Sequence, residues 1–210
     1  MITHNIATMT AKVDAHLAAD LLVQGEYYDA NTGKGCFIGC LAHGNRPETL
    51  AAEYGIPLML TRVLESIFEG LPMQDAAQFF HDIPRAIPEG RDLSRVVWAF
   101  LAAELRALPP QEAKIQAVID PVIAGMDVMA SGGAWQKDAS ADAAYAARAR
   151  SRTARTTAAY AAYAAAYAAS NAAYAAYAAS AATSAARARN ARAAARKRQA
   201  ATILALIAAA

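Results

Sequence analysis

The residues best suited to chemistry are two cysteines and a histidine in KGCFIGCLAHG, residues 34–44. If this segment is helical, Cys36, Cys40 and His43 lie at positions i, i+4 and i+7 on one face. Cys36 would stand at the helix N-terminus, where the helix dipole and free amides lower the pKa of a thiol. A nucleophilic cysteine near a histidine is typical of acyl transfer. One interpretation is therefore a hydrolase or transferase with Cys36 as nucleophile.

The catalytic interpretation needs a base and an acid within reach of the thiol. His43 would lie about 10 Å along the helix axis from Cys36, so it suits Cys40 better. A base for Cys36 would have to come from elsewhere, for example His16 or His4. Asp29, just before the motif, is a candidate acid, and Glu69 and Glu104 are further candidates that no spacing singles out.

The motif could also bind a metal or be purely structural. A metal site needs about four ligands, whereas the motif offers three and has no paired Cys-x-x-Cys spacing. In the structural interpretation both cysteines are small buried hydrophobic residues, and the neighbouring glycines allow close helix packing. We expect the structural role, and we predict no metal and no cofactor.

Helical patterns dominate the rest of the first 130 residues. Apolar residues recur every three or four positions, and Gly, Pro and Asn separate the segments. We find no run of alternating strand residues, so the fold is expected to be mostly α. The predicted helices cover residues 4–24, 36–43, 45–55, 57–70, 73–82 before Pro84, 92–106 with Asp92 as the cap, and 111–130.

The composition of the chain changes after the Ser-Gly-Gly linker at 131–133. The 18 acidic residues all precede residue 143, and the 20 basic residues divide equally on either side of that point. Formal charges are therefore about −8 before residue 143 and about +10 after it. We expect a helical globular domain over residues 1–133 and a helical, Ala-rich tail over residues 134–210.

Five tyrosines of the tail follow the 3-4-7-3 spacing of a coiled-coil seam. They are Tyr160, Tyr163, Tyr167, Tyr174 and Tyr177. The arginines from Arg148 to Arg196 all fall outside this seam. A lone helix would leave the tyrosine stripe exposed, so we expect self-association into a homo-oligomer. Folding back, with a bend near Ser170-Asn171, and an inert spacer are the alternatives.

Arginines cluster at both ends of the tail and have no acidic neighbours in sequence. Such clusters favour salt-sensitive, sequence-independent contacts with nucleic-acid phosphates. The candidate residues are Arg148, Arg152, Arg155, Arg192 and Arg196. Alternatively, these charges keep an Ala-rich helix in solution, or they attract the acidic half of the chain.

The cellular compartment is expected to be the cytoplasm. The first residues show no basic region followed by an apolar run, and no stretch of about 18 apolar residues is uninterrupted. We therefore expect no signal peptide and no membrane association, and two reduced thiols.

The motif and its surroundings resemble a family of uncharacterised proteins from phages, prophages and their bacterial hosts. Tyr28-Asp29 followed by GKGCFIGCLAHG is similar to the family element W-D-G-x-x-G-C-x-x-G-C-x-x-H. The resemblance continues in EYGIP (53–57), IFEGLP (67–72) and AIPEGRDLSRVVW (86–98), and in an Ala-rich tail followed by an RQA…L element that begins at residues 198–200. Tyr28 replaces the tryptophan of the family, and the loop ANTGKG is longer.

The resemblance implies an accessory role, such as interference with host defence or host regulation. We expect a non-catalytic protein that binds or inhibits a host protein complex through its acidic domain and becomes multivalent through its tail. The alternatives are a cysteine-dependent enzyme and a nucleic-acid-binding protein that uses the basic tail.

Overall fold

The structure is a computed structural model that describes residues 5–110, 113–135 and 185–210. These residues form eight helices and no strand, which confirms the expected helical class. The helices are α1 (Ile6–Ala18), α2 (Phe37–Ala42), α3 (Pro47–Tyr54), α4 (Leu58–Gly70), α5 (Met73–Ala86), α6 (Val96–Arg106), α7 (Ala113–Ala130) and α8 (Ala185–Ala208).

The chain divides into two compact units. The first combines the residues up to Val97 with Ala185–Ala210, and the second covers Trp98–Ser184. This division differs from the predicted boundary at residue 133. The C-terminal residues join the first unit because the side chains of Ile203 and Ile207 are fully buried there.

An aromatic cluster lies in the core of the first unit. The ring of Phe37 lies 6.5 Å from Phe68 and 6.0 Å from Phe80, in each case measured between centroids. All three rings are almost completely buried. Because the three residues come from α2, α4 and α5, the cluster joins the short motif helix to two longer helices beside it.

Several helix ends differ from the sequence prediction. α1 ends at Ala18 rather than near residue 24, and Asp20 has a φ of 52° just beyond it. α5 continues through Pro84 to Ala86, although a proline was expected to end it. Pro84 and its neighbour Ile83 are buried. Burial of the last turn therefore outweighs the backbone hydrogen bond that a proline cannot make.

The segment before α6 is a turn rather than helix. Asp92 accepts hydrogen bonds from the Ser94 amide at 2.8 Å and from the Ser94 hydroxyl at 2.9 Å. The helix itself begins at Val96. Asp92 thus forms an Asx-type turn that precedes α6, the helix that it was predicted to cap.

A loop joins α1 to α2 and folds against the glycine at position 35. Gly35 forms isolated backbone bridges with Leu22 and with Tyr28, and these bridges are not part of any strand. The amide of Val23 donates to the Gly35 carbonyl at 2.9 Å, and the amide of Gly35 donates to the Leu21 carbonyl at 3.0 Å. The loop is thereby held next to the first residues of the motif.

Within the second unit, the chain turns back on α7 after Ala130. Gly132 has a φ of 88°, which suits glycine. A Cβ atom on Gly125 would lie 2.1 Å from the ring of Trp135, so the missing side chain leaves space for the indole. Arg106 and Asp127 form an ion pair in this unit. The predicted Ser-Gly-Gly linker is therefore a turn that packs Trp135 on α7.

The predicted tyrosine seam and the first arginine cluster lie between residues 136 and 184, outside the described residues. The predicted helix over the tail agrees with the structure over Ala185–Ala208. No helix among the described residues is both long and apolar enough to cross a bilayer.

Candidate functional site

The cysteine and histidine motif surrounds α2 instead of lying inside one helix. Cys36 is the N-cap residue, with an extended backbone, and His43 is the C-cap residue, with a φ of 50°. Only Cys40 of the three lies within the helix. The three side chains were expected on one helical face, but the structure places Cys36 and His43 at opposite ends of a helix of six residues.

The glycines of the motif allow the preceding loop to approach α2. A Cβ atom on Gly39 would lie 1.2 Å from the carbonyl oxygen of Tyr27, and one on Gly35 would lie 2.6 Å from the same oxygen. The amide of Cys36 donates to the carbonyl of Glu26 at 2.9 Å and to that of Tyr27 at 3.2 Å. Both glycines are therefore required by the contact with the loop backbone.

The thiol of Cys36 is buried, with 2% of the residue exposed. Burial raises its pKa, and the carboxylates of Glu69 and Glu65 raise it further, whereas the amides of Gly39 and Ile38 lower it. The prediction of a lowered pKa was wrong, because loss of hydration and two nearby negative charges outweigh the helix amides. Cys36 therefore keeps its proton at neutral pH.

Cys40 is completely buried, and its thiol donates a hydrogen bond to the Gly35 carbonyl at 3.2 Å. Burial, followed by the proximity of Cys36, raises the pKa of Cys40 to about 12. The thiol was expected to suit His43 as a base, but its hydrogen bond goes to backbone within the motif. Its role in this geometry is to fill the core.

His43 takes part in a group of rings at the contact between α1, α2 and the loop. Its imidazole stacks on Tyr28, with 5.0 Å between centroids and 8° between planes, and lies 5.8 Å from the ring of His16. Nδ1 of His16 is 2.9 Å from the Lys12 carbonyl oxygen. Desolvation, then the charges of Lys12 and His16, lower the pKa of His43.

Lys12 connects three parts of this surface, a connection that sequence reasoning missed. Its ammonium donates to the Leu41 carbonyl at 3.3 Å and to the Glu53 carboxylate at 3.4 Å. It also lies 5.5 Å from the centroid of the buried Tyr54 ring. These residues are too far apart in sequence for any spacing to reveal the contact. His4, the other predicted base, lies outside the described residues.

Two acidic candidates, Asp29 and Glu69, accept hydrogen bonds from the loop that precedes α2. Asp29 accepts the Asn31 amide at 2.9 Å and the Thr32 hydroxyl at 2.8 Å, and these bonds lower its pKa. Glu69 accepts the Gly25 amide at 2.8 Å. Desolvation is the main cause of a raised pKa at Glu69, which also interacts with the Cys36 thiol. Both carboxylates hold the loop that covers the motif.

No group of three or more His, Cys, Asp or Glu side chains within the described ranges is arranged to hold a metal ion. In particular, Cys36 and Cys40 face the core, whereas His43 lies at the exposed end of α2.

Of the predicted nucleic-acid contacts, the structure describes Arg192 and Arg196. Arg196 lies over Gly70, where a Cβ atom would come within 2.4 Å of its Nε, and donates to the Gln199 side chain at 2.9 Å. Arg196 is therefore part of the packing of α8 on the domain. Arg192 is exposed on the preceding turn. The other predicted contacts, Arg148, Arg152 and Arg155, lie outside the described residues.

Comparison with known proteins finds no similar family model, no similar curated protein and no similar solved structure.

Proposed function

We propose that this chain is a non-catalytic binding protein that self-associates through its Ala-rich segment. In keeping with the phage and prophage proteins that its sequence resembles, it would be a cytoplasmic accessory protein that binds or inhibits a host protein complex. The observation that carries the non-catalytic part is the burial of both motif thiols. Each is 2% exposed or less, and each has a raised pKa.

The cysteine-dependent enzyme loses support from the same geometry. A cysteine nucleophile must be a thiolate and must be reachable by substrate. Cys36 meets neither condition, and its interacting side chain is the carboxylate of Glu69 rather than an imidazole. The motif instead joins a loop, a short helix and an aromatic core, which suits a scaffold that presents a surface.

The packing of α8 supports the self-association part of the proposal. Because α8 lies against α4 and α5, the first unit contains residues on both sides of the tyrosine segment in sequence. In sequence, the segment follows α7 of the second unit and precedes α8 of the first unit. Pairing of two such segments would bring several copies of the acidic domain together and raise their avidity for a repeated or multivalent target.

The opposite charges of the C-terminal region and the first half of the chain also support the packing of α8 on α5. Lys197 of α8 forms an ion pair with Asp75 of α5 at 3.0 Å. This ion pair is one contact of the kind expected if the basic C-terminal region is attracted to the acidic first half of the chain. Both side chains are partly exposed, so the pair adds little stability.

The proposal is tested by the mass of the full chain in solution. Replacing Tyr160, Tyr163, Tyr167, Tyr174 and Tyr177 together by alanine should convert an oligomer into a monomer, measured by light scattering after gel filtration. Replacement of the same five residues by phenylalanine keeps the rings and should keep the oligomer. Tyr145→Ala, outside the seam, is a further control. An unchanged mass for the alanine variant would exclude self-association through the seam.

A further inference from the structure

The surface formed by α4 and α5 binds the C-terminal region of the chain through contacts spread along residues 196–210. Gln199, Ala200, Ile203 and Ile207 are buried on that surface. Around them, Arg196 lies on Gly70, Lys197 pairs with Asp75 at 3.0 Å, and the guanidinium of Arg91 donates to the Ala210 backbone oxygen at 2.6 Å. We call this surface, formed by α4, α5 and Arg91, the helix-docking face.

The contacts fix the direction of the docked helix. Asp75 is in the first turn of α5, and Arg91 follows the end of α5. Since Lys197 meets the first and Ala210 meets the second, α8 runs in the same direction as α5. The stretch between these two residues of the C-terminal region rises about 20 Å, close to four helical turns. The helix-docking face therefore fixes both the register and the direction of the helix that binds to it.

The apolar part of the occupant is small and localised. Ile203 and Ile207 are fully buried, whereas residues 190–192, 194, 197 and 198 are exposed. Because apolar surface that is removed from water stabilises the state that buries it, these two isoleucine side chains hold α8 on the helix-docking face. Undocking would expose these side chains to water, so an undocked α8 has a strong tendency to find another docking face.

We infer that the helix-docking face also binds α8 of a second copy of this chain, so that two chains exchange their C-terminal helices. The contacts are the same whether the helix belongs to the same chain or to its partner. Docking within one chain is favoured only by the effective concentration of the tethered helix. That advantage falls as the connection lengthens, and here 49 residues, 136–184, separate the described part of the second unit from α8 in sequence.

This exchange is a second interface, separate from the tyrosine seam, and it does not depend on the seam. It makes each protomer contribute a helix to the core of the other. The partner is defined by the chemistry of the face: a helix with two isoleucines four residues apart, preceded by Arg and Lys at the positions that meet Gly70 and Asp75.

Cross-linking between marked chains tests the inference. One full-length chain carries Asp75→Cys and the other carries Lys197→Cys, both in the background with the five seam tyrosines replaced by alanine. The two native cysteines are buried. After joint unfolding and refolding, a short bis-maleimide should link one chain of each kind, with a yield that rises with protein concentration. Either chain alone should give at least five-fold less two-chain product.

Two controls decide the result. An excess of a peptide of residues 185–210 should compete with α8 for the helix-docking face and lower the yield of two-chain product several-fold. This control requires no further substitution in either protein chain. A single chain with both replacements reports docking within one molecule. If that chain links internally while the mixture gives no two-chain product, the exchange is excluded. If neither links, the docking contact itself is excluded, and the inference falls with it.

Discussion

The carbonyl oxygen of Tyr27 lies where a side chain on Gly39 would begin, 1.2 Å from the position of its Cβ atom. The closest glycine contact of the motif is therefore with the loop backbone. The same oxygen also accepts the Cys36 amide at 3.2 Å. The Gly-Cys-x-x-Gly-Cys spacing thus places two glycines against one peptide group and two thiols in the core.

Gly39→Ala should destabilise the protein by at least ~3 kcal/mol, because the methyl group can be placed only by moving the loop or α2. Urea unfolding followed by circular dichroism measures this change. Gly25→Ala is the matched control. Its Cβ atom would have no neighbour within 4 Å, but its φ is +83°, so a cost of about 1 kcal/mol from backbone strain alone is expected. Equal costs at the two positions would contradict the contact.

Ile203→Ala and Ile207→Ala should each lower the free energy of unfolding by about 2–5 kcal/mol, as for other fully buried isoleucines. The measurement is urea unfolding monitored by the fluorescence and circular dichroism of the full chain. Ala201→Ser, on the exposed side of the same helix, should change stability by less than about 0.5 kcal/mol. Isoleucine variants as stable as the parent would show that α8 is not part of the first unit.

Stability should fall as the pH drops below about 6.5, partly because of His43. Its pKa is lowered in the folded protein, so the unfolded chain binds the proton more readily over the range between the two pKa values. The stability associated with neutral His43 is fully present above the pKa that this residue has in the unfolded chain. It is lost as the pH falls through that value toward the lower pKa of His43 in the folded protein. Urea unfolding at pH 7.5 and at pH 5.5 should show this loss.

His43→Asn provides the comparison, since asparagine tolerates the positive φ of this position and does not titrate. The variant should lose less stability than the parent between the two pH values. An equal or greater loss in the variant would show that His43 does not carry the effect.

The sequence predicts much of the helical fold because local signals are strong. Pro57 and Gly70 bound α4 as expected, and Gly55 ends α3 in the left-handed conformation. The errors occur where packing overrides local preference. Pro84 stays inside α5 because its last turn is buried, and α1 stops early because the chain turns at Asp20 to reach the motif.

The candidate site was less predictable for a different reason. The N-terminal position of Cys36 on α2 was predicted from sequence, but the shared helical face was not found, and the pKa of a thiol depends on what surrounds it in space. Glu65 and Glu69 reach Cys36 from α4, and Lys12 and His16 reach His43 from α1. Packing of the tail against the rest of the chain was considered only as an alternative, and its site on α4 and α5 could not be predicted because α8 is rich in alanine and carries only a short apolar patch near its end.

The reactivity of the two cysteines tests most directly whether the motif is structural. Iodoacetamide at pH 7.5, with mass spectrometry of the native full chain over time, measures labelling at Cys36 and Cys40 separately. The buried, protonated thiols predict labelling of both far slower than of a free cysteine, rising to the free rate in 6 M urea. Rapid labelling of native Cys36, faster than the free thiol, would contradict the account and restore the cysteine-dependent enzyme.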